Sequence, residues 1–357
     1  MGRKSIWKPI YRNRRQEWIG RLDKHYDPPK KPIFNFLLPM PSQRIAALLT
    51  CHNRREKTVA CLHALREQVL PAWRSSESDN LSGVVGRECP STISTPAVSH
   101  LASAASAPLA ITSPFSAFST NHFEIDIFLV DDGSTDGTAQ TVAEEFPDVH
   151  IIRSSGDLYW CGGMRAAWTE ASTADPDYYL LLNDDTTLQR RALDELMVLV
   201  PSPGELTIAV GAISNPAGTK QTYGGVINWS PAPPTGAPLS CETFNANCVL
   251  IPQAVFTRMG MFYSGYTHAM GDFDYGIRAS RRGIQILQTP DFVGSCQLNS
   301  TSGTWRDRSL SRIQRWRLAQ SPKGLPWREW LTFCLRNHGA RAPMKFISPY
   351  LRIGLGL

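Results

Sequence analysis

The sequence contains no run of eighteen or more apolar residues, which excludes a conventional membrane-spanning helix. Its opening, MGRKSIWKPIYRNRRQEW, is basic, but no apolar segment follows it, so a secretory signal is not expected. The eight cysteines show no Cys-x-x-Cys pair and no other finger spacing. This argues against a zinc ribbon or a disulfide framework and fits reduced thiols in a cytosol. The first apolar run is followed by TCHNRREK (50–57), which holds no glycine. A dinucleotide fingerprint needs Gly-x-Gly-x-x-Gly at that point, so an NAD enzyme is not expected.

What is present is a chain of 357 residues, 42% hydrophobic and 19% charged. That suffices for one large domain with appendages. The net charge of +6 is unevenly spread: residues 1–31 hold ten Lys/Arg against three acids, and residues 304–357 hold eleven against two. The ends therefore carry +7 and +9, and the middle carries −10. Such basic ends either dock on anionic lipid or phosphate or remain solvated tails. The expected organisation is a basic N-terminal extension (1–43), a central domain (44–303) and a basic, helical C-terminal extension (304–357). Residues 74–122 are rich in Ser, Ala and Pro without a period. They read as a low-complexity insertion, disordered and looping out of the domain.

Apolar runs mark strands at 44–50, 125–130, 149–153 and 178–182. Helical patterns lie between and after them. Residues 55–68 set Val59, Leu62, Leu65 and Val69 on one face. GSTDGTAQTVAEEF places Ser134 or Asp136 as N-cap, GGMRAAWTEAS (162–172) opens a helix, and LQRRALDELMVLV (188–200) forms another. This alternation predicts a Rossmann-like, mostly parallel α/β sheet flanked by helices.

Three of the strands end on polar groups: Thr50 to Asn53, Asp131-Asp132, and Asn183-Asp184-Asp185. Ligands of open α/β sheets bind outside the carboxyl ends of the strands. Carboxylates gathered there repel unless a cation joins them, and oxygen ligands favour Mg²⁺ or Mn²⁺ bridging to substrate phosphates. An EF-hand reading of Asp132-x-Ser134-x-Asp136 fails, because Ala143 stands where the bidentate Glu belongs. Helix and turn capping would explain one aspartate pair more readily than two.

Five segments, ALLTCHNRREKTVACLHAL, DIFLVDDGSTDGT, WCGGMRAAW, LLLNDDT and GDFDYGIRASRRG, together resemble the family-2 inverting glycosyltransferases of GT-A fold, with bacterial rhamnosyltransferase-like members closest in look. The resemblance spans about 44–300. It implies a nucleoside-diphosphate-sugar donor (UDP- or dTDP-linked), Mn²⁺ or Mg²⁺, and a glycan or lipid-linked hydroxyl acceptor in surface polysaccharide or glycolipid assembly. By the same resemblance, Thr50, His52, Asp132 and Asp184 bind the nucleotide, and Asp185 binds the metal. Gly162, Gly163 and Arg165 lie over the sugar and diphosphate, with a helix N-terminus there offering N–H groups to phosphate. Asp272 is the implied catalytic base. The family shows Glu before that Asp, whereas this chain has Gly271.

The expected setting is cytoplasmic, with a peripheral membrane contact of the C-terminal segment as one reading and a lid or dimer contact as the other. Arg/Trp interleaving there matches no nucleic-acid module, so no nucleic-acid partner is expected. Two other classes stay open. A non-catalytic relative would bind a sugar nucleotide or a partner protein through the same fold. A nucleotidyltransferase would need a Gly-rich loop that TCHNRREK lacks.

Overall fold

The computed structural model describes residues 42–69 and 123–357. The insertion expected at 74–122, and the N-terminal extension except its last two residues, lie outside them. The elements run β1 (Gln43–Cys51), α1 (Arg55–Arg66), β2 (Phe123–Asp132), α2 (Thr138–Glu145), β3 (His150–Ser154), α3 (Tyr159–Ser172), β4 (Tyr178–Leu182), β5 (Thr187–Leu188), α4 (Ala192–Leu199) and β6 (Thr207–Ser214). They continue with β7 (Gln221–Tyr223), β8 (Gly225–Ile227), β9 (Ser230–Pro231), β10 (Leu239–Ser240), β11 (Thr243–Phe244), β12 (Cys248–Pro252), α5 (Gln253–Met259), α6 (Gly271–Arg281), β13 (Gln285–Ser295), α7 (Arg312–Ala319), α8 (Trp327–Asn337) and α9 (Ala342–Leu355).

The main sheet has the order β10-β13-β6-β12-β4-β1-β2-β3. It is parallel from β4 through β1 and β2 to β3, where the sequence alternates strand and helix. Apart from the two-residue β5, which pairs antiparallel with β13, its antiparallel strands, β12 among them, arrive only after Val200. The register sets Cys51 beside Asp131 and Leu48 beside Leu181, so β1, β2 and β4 end together. The chain leaves β1 toward β2 and β3, then returns to β4 on its other side. That reversal opens a crevice at the strands' carboxyl ends.

Both faces of the sheet are covered, as the near-continuous apolar strands require. Along β1, Ile45, Ala47 and Leu49 join the core that includes Leu62 and Leu65 of α1. Ala46 and Leu48 join the other core, with Met164 and Trp168 of α3 and Tyr275 of α6. The period of two in a strand divides one apolar run between two layers.

Three local expectations are corrected. Helix α1 ends at Arg66, and Val69 beyond it is exposed rather than on the buried face. The N-cap of α2 is Gly137 at φ 82°, with Asp136 accepting from the Thr138 N–H just inside. Helix α3 begins at Tyr159, so Gly162 and Gly163 lie within it. All seven described cysteines are free and buried. No helix among the described residues is long and apolar enough to cross a membrane.

Candidate active site

The two strand-end aspartate pairs have different partners. Asp131 Oδ1 accepts from the Ser134 N–H at 3.1 Å and so shapes the turn after β2. Asp132 faces α3: Oδ1 accepts from Leu158 N at 3.1 Å and Ser154 Oγ at 3.0 Å, and Oδ2 accepts from Tyr159 N at 2.7 Å. It thereby satisfies N–H groups at the start of that helix, a favourable place for negative charge. The His52 ring lies against the same corner, with Nδ1–H donating to the Asp132 carbonyl at 2.6 Å. That bond leaves Nε2 as the acceptor, facing the Asn53 amide at 3.2 Å.

At the end of β4, Asp184 is buried. Arg54, three residues past β1, lies between the two carboxylates. One of its nitrogens is 3.0 Å from Asp184 Oδ1 and 3.0 Å from Asp185 Oδ2. Burial pushes the Asp184 carboxyl up to about 6, against the pull of Arg54. The Thr58 hydroxyl also donates to Asp184, and the Cys296 thiol lies 3.5 Å from Asp185 Oδ1. Burial, with Asp185 near by, raises that thiol to about 12, so it stays protonated at neutral pH. Two carboxylates thus converge on a place where a cationic group sits. No cluster of three or more His, Cys, Asp or Glu suited to a metal occurs among the described residues. This donor set fits an ion held by one or two carboxylates whose other positions go to substrate oxygens and water.

Asp272 stands in the first turn of α6. Its Oδ1 accepts from Phe273 N at 2.8 Å and its Oδ2 from Ala246 N at 3.2 Å. Burial raises its carboxyl to about 6, with these N–H groups opposing the rise. The adjacent Asn247 carbonyl accepts from Asn183 N at 3.0 Å. A single strand end therefore separates Asp272 from the Asp184/Asp185 pair. Near by, His268 Nδ1 is buried without a hydrogen-bond partner, and burial lowers the ring to about 4, so it is neutral.

The glycines have a packing explanation. A Cβ on Gly163 would meet Thr50 Oγ1 at 2.2 Å, so this glycine lets α3 lie directly on β1. The Gly162 N–H already donates to Leu158 O at 3.1 Å and Thr267 O at 3.3 Å. The expected free N–H groups of a helix start at Gly162-Gly163 are therefore absent, because the start lies a turn earlier. Arg165, expected near the diphosphate, donates through one guanidinium nitrogen to the Tyr266 carbonyl at 2.8 Å and braces the loop before α6. Gly271 departs from the family's Glu for a steric reason: a Cβ there would meet Cys161 Sγ at 2.6 Å.

Sequence reasoning missed two features. One is Arg54, whose signal was a basic run placed after β1 in an otherwise acidic middle. The other is Trp160, whose indole N–H donates to Asn183 Oδ1 at 2.8 Å and fixes the residue before the carboxylate pair.

A parallel α/β half-sheet, with carboxylates and a cationic group at its strand ends, defines the architecture as GT-A. Residues 110–256 match the family described as Glycosyl transferase family 2, in agreement with the resemblance read from the motifs over that part of the chain. The match includes Asp132, Asp184 and Asp185 and ends before Asp272. No curated protein matches the chain. Among solved structures, it is similar to the mannosyltransferase PcManGT from Pyrobaculum calidifontis in complex with GDP-Man and Mn²⁺, at 14% identity and TM-score 0.47, covering 88% of this chain and 70% of that one. It is also similar to S. aureus TarS 1–349 in complex with UDP-GlcNAc, at 10% identity and TM-score 0.47, covering 88% and 73%. A third is GalNAc-T7 with UDP, GalNAc and Mn²⁺, at 10% identity and TM-score 0.49, covering 88% and 56%.

Proposed function

We propose that the protein transfers a sugar, with inversion, from a pyrimidine nucleoside-diphosphate sugar to a hydroxyl acceptor in surface polysaccharide or glycolipid assembly. The observation that carries this reading is the convergence of Asp184 and Asp185 on one cation position, a strand end away from the half-buried carboxyl of Asp272. Thr50, His52 and Asp132 form the nucleoside side of the crevice. Asp132 Oδ2, with one bond made in this structure, keeps acceptor capacity for a pyrimidine N–H. Asp184 faces the ribose side.

In an inverting displacement the acceptor hydroxyl loses its proton as it attacks the anomeric carbon, and the nucleoside diphosphate leaves. Asp272 takes that proton. A carboxyl at about 6 is a stronger base than an exposed one yet is ionised at neutral pH. Two backbone N–H groups hold it in place, and such positioned base catalysis contributes roughly 10²–10⁴ in rate. Asp185, with Asp184, would hold Mn²⁺ or Mg²⁺. When bound, the ion neutralises charge on the leaving diphosphate. No side-chain nucleophile is needed.

The test is calorimetric titration with UDP, dTDP and GDP, each with Mn²⁺ and with EDTA, on the wild type and Asp185→Ala. Binding of a pyrimidine nucleotide that needs Mn²⁺ and weakens in the variant is the expected result. Folded protein that binds none of the three would instead favour a non-catalytic relative of this fold.

A further inference from the structure

Helix α9 is apolar on two opposite sides. Its inner side packs on the protein: Ala342 and Ile353 are buried, the Phe346 carbonyl accepts from the Trp330 indole at 3.2 Å, and the Tyr350 hydroxyl donates to Leu325 O at 2.6 Å. The outer side carries Met344, Ile347, Leu351 and Leu355, spaced i, i+3, i+7 and i+11, and therefore one stripe. These four are 65%, 46%, 58% and 67% exposed. Single exposed apolar residues need no explanation, but a continuous stripe over the whole helix does. Lys345 and Arg352, seven residues apart, lie along its flank, and Arg341 precedes the helix. No acidic residue follows Glu329.

From this geometry we infer that α9 lies in the interfacial plane of an anionic membrane, seated by the outward stripe and drawn by its basic flank. The surface fits lipid better than a protein groove. The stripe offers only aliphatic and thioether groups, with no polar group to specify a protein partner. Its cationic flank and the net +9 of residues 304–357 complement an anionic headgroup layer. Apolar insertion together with basic attraction supplies the two signals that stable surface anchoring requires. The inference goes beyond the glycosyltransferase reading and does not depend on it, because α9 contributes no residue to the crevice described above.

The experiment is co-sedimentation of the full chain with phosphatidylcholine vesicles and with vesicles that also contain phosphatidylglycerol. The wild type, Leu351→Glu/Leu355→Glu and Lys345→Glu/Arg352→Glu are compared, with urea unfolding and nucleotide titration as checks on folding and on the site. The wild type should pellet with anionic vesicles and release at high salt. The leucine variant should lose binding by on the order of a hundredfold, given two leucines withdrawn from an apolar phase. The charge variant should lose its preference for anionic vesicles. All four substituted positions are exposed, so unfolding and nucleotide binding should not change. Equal vesicle binding by the wild type and the leucine variant would overturn the inference, since a different segment would then hold the lipid. It would also be overturned if the wild type ignored vesicles and light scattering showed a dimer that Leu351→Glu/Leu355→Glu dissolves, the stripe then being covered by a second copy. A wild type that is monomeric and ignores vesicles would overturn it as well.

Discussion

Replacing Asp272 by Asn separates the cost of the proposed base from its use. In the folded protein this carboxyl stands at about 6 against an ordinary 3.8, mainly because it is buried. An acid with a raised folded value binds its proton more tightly in the native state than in the unfolded chain. Its stabilising contribution is complete below 3.8 and is lost as pH rises through about 6. At about 1.4 kcal/mol per pH unit, the full loss is about 3 kcal/mol, and about 2 kcal/mol of it falls between pH 4.5 and 7.5. Asn carries no such charge, but its NH₂ cannot accept, so the N–H of either Ala246 or Phe273 loses its partner at about 1–3 kcal/mol. That second cost does not depend on pH. In urea unfolding at the two pH values, the stability of Asp272→Asn relative to wild type should therefore improve by about 2 kcal/mol on going to pH 7.5. Nucleotide binding should persist while turnover is lost, and wild-type turnover should fall about tenfold per pH unit below about 6. A stability difference that is the same at both pH values would refute the reasoning, because the carboxyl would then titrate as an exposed one does.

Arg54→Gln should lower stability by about 1–2 kcal/mol in the absence of metal, since it strips the shared cation from Asp184 and Asp185. Thermal melts should show that Mn²⁺ restores this loss; a variant that Mn²⁺ leaves unchanged would mean the position does not accept a metal. Gly163→Ala should cost about 1–3 kcal/mol in urea unfolding and weaken nucleotide binding, because its Cβ would overlap Thr50. Gly162→Ala, whose Cβ would meet nothing nearer than Leu158 at 3.1 Å, is the control, and equal cost at the two sites would contradict the packing account. Asp274→Asn should destabilise by about 3 kcal/mol at neutral pH, since Arg278 and Arg336 both bond a carboxylate with no exposure. Those partners hold Asp274 below the ordinary range, so its contribution is lost as pH falls, and the gap between variant and wild type should narrow in acid-unfolding curves.

What could be read from the sequence was whatever depends on neighbours along the chain. Strands that end on Asp131-Asp132 and Asn183-Asp184-Asp185 announce themselves, since apolar runs and polar endings are local patterns. Asp272 in the first turn of a helix was legible for the same reason. Tertiary reasons were not. Paired glycines suggest a turn or a helix start, whereas Gly163 is set by the approach of Thr50, more than a hundred residues earlier. Nor does the sequence show that the loop carbonyls of Tyr263 and Tyr266, about a hundred residues on, come within reach of Arg165. Arg54 was visible as a basic residue, but only the adjacency of β1 and β4 places it between two carboxylates.

The C-terminal helices follow the same logic. Residues 304–357 have the composition of an appendage, yet α8 is joined to the candidate site at two points. Glu329 accepts from the Thr267 N–H at 3.0 Å and the Thr267 hydroxyl at 2.8 Å, and the Thr267 carbonyl accepts from the N–H groups of Cys161 and Gly162 in α3. Arg336 and Asn337 bond Asp274, two residues beyond the proposed base on the same helix. Without α8, Asp274 would keep only Arg278 and the Tyr266 hydroxyl, and a buried charge stripped of partners is costly. The position of α6, and with it Asp272, therefore depends on α8. Helix α9 packs on α8 through the Trp330–Phe346 bond. A force on the outward stripe of α9 would consequently reach α6 and Asp272 through packed helices alone, without a hinge.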